Sequence, residues 1–115
     1  MFPVFHQNVV YLFLLLMWGH WIADFPLQGP YLSEAKNPDG DLGKHGVWKH
    51  AMSAHCGIQA GFVLLFTGSI HCALLEFVVH FWIDYCKCKK WISYNTDQTM
   101  HVIAKIIYVI AVFSS

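Results

Sequence analysis

Four stretches of the chain are apolar for long enough to demand apolar surroundings: about Asn8 to Phe25, Val47 to Phe66, Ile70 to Cys86 and Thr99 to Phe113. Each approaches the ~17 to 25 residues that a helix needs to cross a bilayer. They are interrupted by ionisable residues, so a buried soluble core is the competing explanation, and composition decides between the two. Only 12% of the 115 residues are charged and 57% are hydrophobic, whereas a soluble domain spends roughly a quarter of its residues on charge. Helices this apolar, with so little polar surface to cover them, do not pack as a soluble bundle. The expected fold is therefore all-α, a four-helix transmembrane bundle forming a single domain over residues 1–115. Seven Lys, no Arg and seven acids exclude nucleic-acid binding through a basic face, and the apolar content excludes disorder.

The first run has no Lys or Arg before it and no small-residue cleavage pattern after it, so it is expected to remain in the mature protein. Pro26 to Gly46, rich in Gly, Pro, Asp and Lys, reads as a turn-laden polar loop. Thr67, Gly68 and Ser69 leave room only for a tight hairpin between the second and third runs. Lys36, Lys44 and Lys49 lie in or beside the first loop, and Lys87, Lys89 and Lys90 lie in the third. With four spans these loops share one side, and the positive-inside rule places them in the cytoplasm and both termini outside. The bilayer is the expected partner, with a second copy or a host membrane protein as the protein partners left open. Cys56, Cys72, Cys86 and Cys88 make no secreted disulfide framework, and the Cys86-Lys87-Cys88 pair lacks a second half with zinc-site spacing.

The ionisable residues inside the runs are regularly placed. His20 and Asp24 are four apart, with Gln28 a turn further if the helix passes Pro26; Glu76, His80 and Asp84 repeat the spacing, as do Asp97, His101 and Lys105. Residues four apart share one helical face. At 1.5 Å of rise per residue, Asp24, Asp84 and Asp97 form a layer near the cytoplasmic interface, His20, His80 and His101 one about 6 Å deeper, and Glu76 and Lys105 one about 12 Å deeper. The second run adds His50 and His55, which a five-residue step turns apart, so at most one of them joins the cluster.

An ionised side chain near mid-bilayer costs at least ~2.5 to 3.5 kcal/mol, so such stripes have a purpose. Three purposes fit: buried His-Asp and Glu-Lys pairs that hold the helices in register, a proton or ion pathway, or a metal centre. Imidazoles and carboxylates projecting from facing helices are the donors that Zn or Fe and Mn take in a bundle core. The candidate ligands are His20, Asp24, His50, His80, Asp84 and His101, with Asp24, Asp84 or Asp97 as candidate base for a metal-bound water. Gln28, Lys36, Glu76, Gln98 and Lys105 complete the polar cluster, and Lys36 is placed to hold an anionic headgroup. His6, His45 and His71 read as interfacial or solvated, and the five Trp as interfacial belt or packing residues.

His20-Trp-Ile-Ala-Asp24-Phe25-Pro-Leu-Gln28 followed by Lys36, His80-Phe-Trp-Ile-Asp84-Tyr85-Cys-Lys87, and Asp97-Gln98-Thr-Met-His101 together resemble the ordered motifs of the domain of unknown function 3307 family, small bacterial and phage membrane proteins. The resemblance covers about residues 20 to 107. It implies functional weight for His20, Asp24, Gln28, Lys36, His50, His80, Asp84, Asp97, Gln98 and His101, and a place in the bacterial inner membrane, or a host's if phage-encoded. It brings no established activity. A departure falls at His50 and His55, five apart where the family pattern places two His four apart. The reading that joins these expectations is metal-assisted hydrolysis of a membrane-proximal substrate, with a non-catalytic membrane protein as the alternative.

Overall fold

A computed structural model describes residues 8–114. Among them are five α-helices and no strand: α1 (Val9–Asp24), α2 (Gly29–Ala35), α3 (Val47–Thr67), α4 (Ile70–Cys88) and α5 (Tyr94–Ser114). The side chain of Asn8 accepts from the Tyr11 amide at 2.7 Å and starts α1. Pro26, which lacks an N–H and restricts the residue before it, lies just past its end. The chain then turns through 85° into α2. That turn uses Gly29 at φ +67°, a backbone state without steric cost only for glycine. The polar segment 26–46 is thus not all loop: it holds α2 and a 3₁₀ turn at Gly43–His45.

Gly68, at φ +69°, ends α3, and the side chain of Ser69 accepts from the Cys72 amide to start α4. Two residues therefore make the whole hairpin, as the sequence leads one to expect. At the start of α5 the Ser93 hydroxyl accepts from the Thr96 amide at 3.1 Å. That helix begins five residues before the expected start at Thr99 because its first turn is polar and carries Asp97.

The four long helices pack in the ring order α1, α3, α4, α5, with α2 laid against α3. The up-down connections give the bundle a hairpin end, where Gly68 and Ser69 lie, and a loop end under α2. Toward the hairpin end the core is apolar: Leu12, Leu16, Val63, Phe66, Cys72, Ala104 and Val109 are buried together. Gly19 lets α1 approach α3 there, since a Cβ on it would sit 3.1 Å from Phe62 and Phe66.

Toward the loop end the buried polar and charged residues gather: His20, Lys36, His55, Gln59, Glu76, His80, Asp84, Asp97, His101 and Lys105. The outside is the reverse. Val10, Leu14, Trp18, Trp21, Leu74, Val78, Trp82, Ile103, Ile107 and Ile110 are all more than half exposed or close to it. Among the described residues only α5 is by itself long and apolar enough to cross a membrane, and α1 with α2 passes as a bent pair. The four runs expected to be spans coincide in position with the four long helices, of which α5 alone meets that length and apolarity by itself.

Candidate metal centre

The i, i+4 stripes of α1, α4 and α5 converge as their spacing requires, and α3 closes the fourth side. Two groups of side chains have donor atoms mutually within 4.8 Å: His20, His80 and His101, and Asp24, His55 and His80. Asp24 joins the groups. Its Oδ2 lies 3.2 Å from His20 Nε2 and its Oδ1 3.3 Å from His55 Nε2. His55 Nε2 is 3.1 Å from His80 Nε2 and 3.6 Å from Asp84 Oδ2. His101 Nε2 is 3.3 Å from Asp97 Oδ1. Donor atoms roughly 3 Å apart match the edges of a coordination sphere with bonds of ~2.0 to 2.2 Å.

The deeper layer is built differently. Glu76, fully buried, accepts from His80 Nδ1 at 3.1 Å, Lys105 Nζ at 3.1 Å and Tyr108 Oη at 2.9 Å. Donation from Nδ1 leaves the neutral His80 ring a lone pair on Nε2, the atom that faces His55. Every polar atom of this layer has a partner. In the layer above, Nδ1 of His20, His55 and His101 is buried without a hydrogen-bond partner, which normally costs about 1 to 3 kcal/mol each. The deep layer is thus complete, whereas the imidazoles of His20, His55 and His101 have close polar neighbours at Nε2 and none at Nδ1.

α2 exists to deliver Lys36. The helix ends at Ala35, and Lys36, 2% exposed, folds inward to pair with Asp84. Lys87 reaches the other Asp84 oxygen at 3.3 Å. Beside them a cleft of about 360 Å³ opens among Asp24, Gln28, Ser33, Lys36, Lys87, Tyr94 and Gln98. Of the three candidate bases only Asp24 lines it. Gln98 Oε1 lies 3.3 Å from His20 Nε2, and its Nε2 donates to Asp97 Oδ2 at 2.9 Å.

Most of the candidate residues are therefore brought together, with three differences. His50 is exposed on the outer face of α3 and stands apart from the cluster, whereas His55 is fully buried within it. Gln28 is not a further turn of α1, since that helix stops at Asp24; its amide instead folds back to donate to the Asp24 carbonyl at 3.1 Å. Lys36 holds Asp84 rather than standing free at the surface. Gln59, which the sequence reading overlooked, donates to Asp24 Oδ1 at 2.8 Å and to the His20 carbonyl at 3.3 Å. The signal was present: His55 and Gln59 are four apart and define the stripe of α3 that faces inward. His45 and His71 are exposed, His6 lies outside the described residues, and Cys56, Cys72, Cys86 and Cys88 are all free.

The chain belongs to the family of proteins of unknown function DUF3307, whose model matches residues 12–115. No curated protein and no solved structure matches it. The match begins within α1 and takes in every residue of the cluster.

Proposed function

We propose that this DUF3307 chain is a four-span membrane protein that holds divalent transition metal, Zn or Fe or Mn, in the loop-end half of its bundle and uses it to hydrolyse a membrane-proximal ester. The observation that carries the reading is the pair of His/Asp groups sharing His80, whose ring nitrogens and carboxylate oxygens converge within 4.8 Å of one another. Charge favours a cation as well. Asp24, Asp84, Asp97 and Glu76 surround a core in which Lys36 and Lys105 are the fully buried ammonium groups. Bilayer residence is supported by the inversion of the usual arrangement, ionisable residues inside and Trp, Leu and Ile outside. The Lys distribution supports a loop end in the cytoplasm and both termini outside.

In this scheme His20, Asp24, His55, His80 and His101 are the ligands. Asp97 serves as base, because Lys36 and Lys87 pair with Asp84, while Asp97 is held by Gln98 and His101 alone among its described polar contacts. A metal held there would activate water for attack on the acyl carbon or phosphorus, and Asp97 would hold the proton released and return it to the leaving oxygen. The cleft over Asp24 is the route for substrate.

The deep layer supports a structural role for Glu76, Lys105 and Tyr108. It also speaks against a through-membrane proton path: the polar chain runs from Asp24 through His55, His80 and Glu76 to Tyr108, beyond which the core is Leu12, Leu16, Val63 and Phe66. Elemental analysis of untagged protein in mild detergent tests the centre. Zn, Fe or Mn should co-purify and fall in His80→Ala, and metal-free wild-type protein would leave only the structural reading. Reporter fusions at the C-terminus should be active outside the cytoplasm, and cytoplasmic activity would invert the topology.

A further inference from the structure

The two ligand groups cannot both be completed through His80. Its Nδ1 is committed to Glu76, so it has one lone pair to give, on Nε2, and a lone pair binds one ion. The ring geometry assigns it. His80 Nε2 lies 3.1 Å from His55 Nε2, and their ring centroids are 4.9 Å apart. His20 and His101 form a second pair whose centroids are also 4.9 Å apart. Between the pairs, the His80 and His101 rings stack at 4.2 Å with planes only 26° apart. Their in-plane lone pairs therefore run side by side rather than converging on a common point.

Asp24 is the residue that reaches both pairs, and it does so with different oxygens, Oδ2 toward His20 and Oδ1 toward His55. We infer that the centre is dinuclear: His20 and His101 hold one divalent ion, His55 and His80 hold a second, and the Asp24 carboxylate bridges them. This rests on the metal-binding reading above and deepens it. Each ion receives two imidazoles and one carboxylate oxygen from the protein, which leaves positions for water or substrate on the side of the cleft that Asp24 lines. Two metals about 3.5 to 4 Å apart clamp the attacking and leaving oxygens of a hydrolysis together. Gln59 becomes a positioning residue, since its amide donates to the same Asp24 oxygen that faces His55.

Loading the metal-depleted protein in detergent with Mn²⁺ alone tests this, with elemental analysis for stoichiometry and electron paramagnetic resonance for coupling. Two Mn²⁺ per chain with an exchange-coupled spectrum is the expected result. One Mn²⁺ with the signal of an isolated ion would overturn the dinuclear centre while leaving the metal site standing, and no binding would overturn both. His101→Ala and His55→Ala should each keep one uncoupled Mn²⁺. Loss of all metal from both variants, with helical content intact, would show that the four imidazoles serve a single ion. Should either variant fail to accumulate, the wild-type stoichiometry and spectrum decide.

Discussion

The two ends of the bundle are made by the same four helices and fill their cores in opposite ways. At the hairpin end Leu12, Leu16, Val63, Phe66 and Val109 are buried together and interlock by shape. At the loop end the same helices bury carboxylates, imidazoles and ammonium groups, each satisfied only by a directional bond. Shape tolerates small errors. A buried charge does not, because its stability depends on one or two specific neighbours. Within the loop end the contrast repeats: the Glu76 layer is complete, while the His layer above it keeps free nitrogens. The difference teaches which residues hold the bundle together and which are held by it.

The largest effect is expected where a buried charge loses its partner. Glu76→Gln or Lys105→Met should each lower stability by about 3 to 5 kcal/mol, and the double variant should recover much of that. Thermal unfolding in detergent reads all three. Additive losses would mean that the ion pair seen at 3.1 Å is not energetically coupled.

Next comes the apolar end. Leu16→Ala, at a position 1% exposed, should cost about 2 to 4 kcal/mol through the cavity it leaves, with metal content unchanged. Metal loss in that variant would show that the two ends do not behave as separate cores. Gly19→Ala is expected to cost about 1 to 3 kcal/mol by forcing a methyl group against Phe62 and Phe66. An unchanged melting temperature would mean that α1 and α3 can separate there at no cost.

The smallest effect separates two histidines on one helix. His50→Ala should stay within about 0.5 kcal/mol of wild type and keep its metal, because the side chain is exposed. His55→Ala should alter metal content. Equal behaviour of the two would break the assignment of α3's inward face.

Much of this was legible before any coordinates. The four apolar runs marked the four long helices to within a few residues, and the stripes of α1, α4 and α5 announced their convergence because i, i+4 spacing fixes a helical face. The Glu76–Lys105 contact followed from matching depths on antiparallel helices. The role of α2 was not legible: Gly, Pro and polar residues read as loop, and a seven-residue helix gains its stability from packing on α3 rather than from its own sequence. Gln28 went astray for a related reason, since the end of α1 just before Pro26 redirects the chain by 85°.

Periodicity and composition, then, determined by themselves that the chain is helical, that its ionisable residues face one another and that they gather at the end bearing the lysines. These are one-dimensional facts, set by 3.6 residues per turn and by the cost of leaving charge among apolar groups. Only the tertiary structure decided the choice of His55 over His50, the inward reach of Lys36 to Asp84 and the position of Asp24 between two imidazole pairs. Each of these depends on how far one helix is rotated and translated against its neighbours, which packing settles and no single helix's sequence encodes.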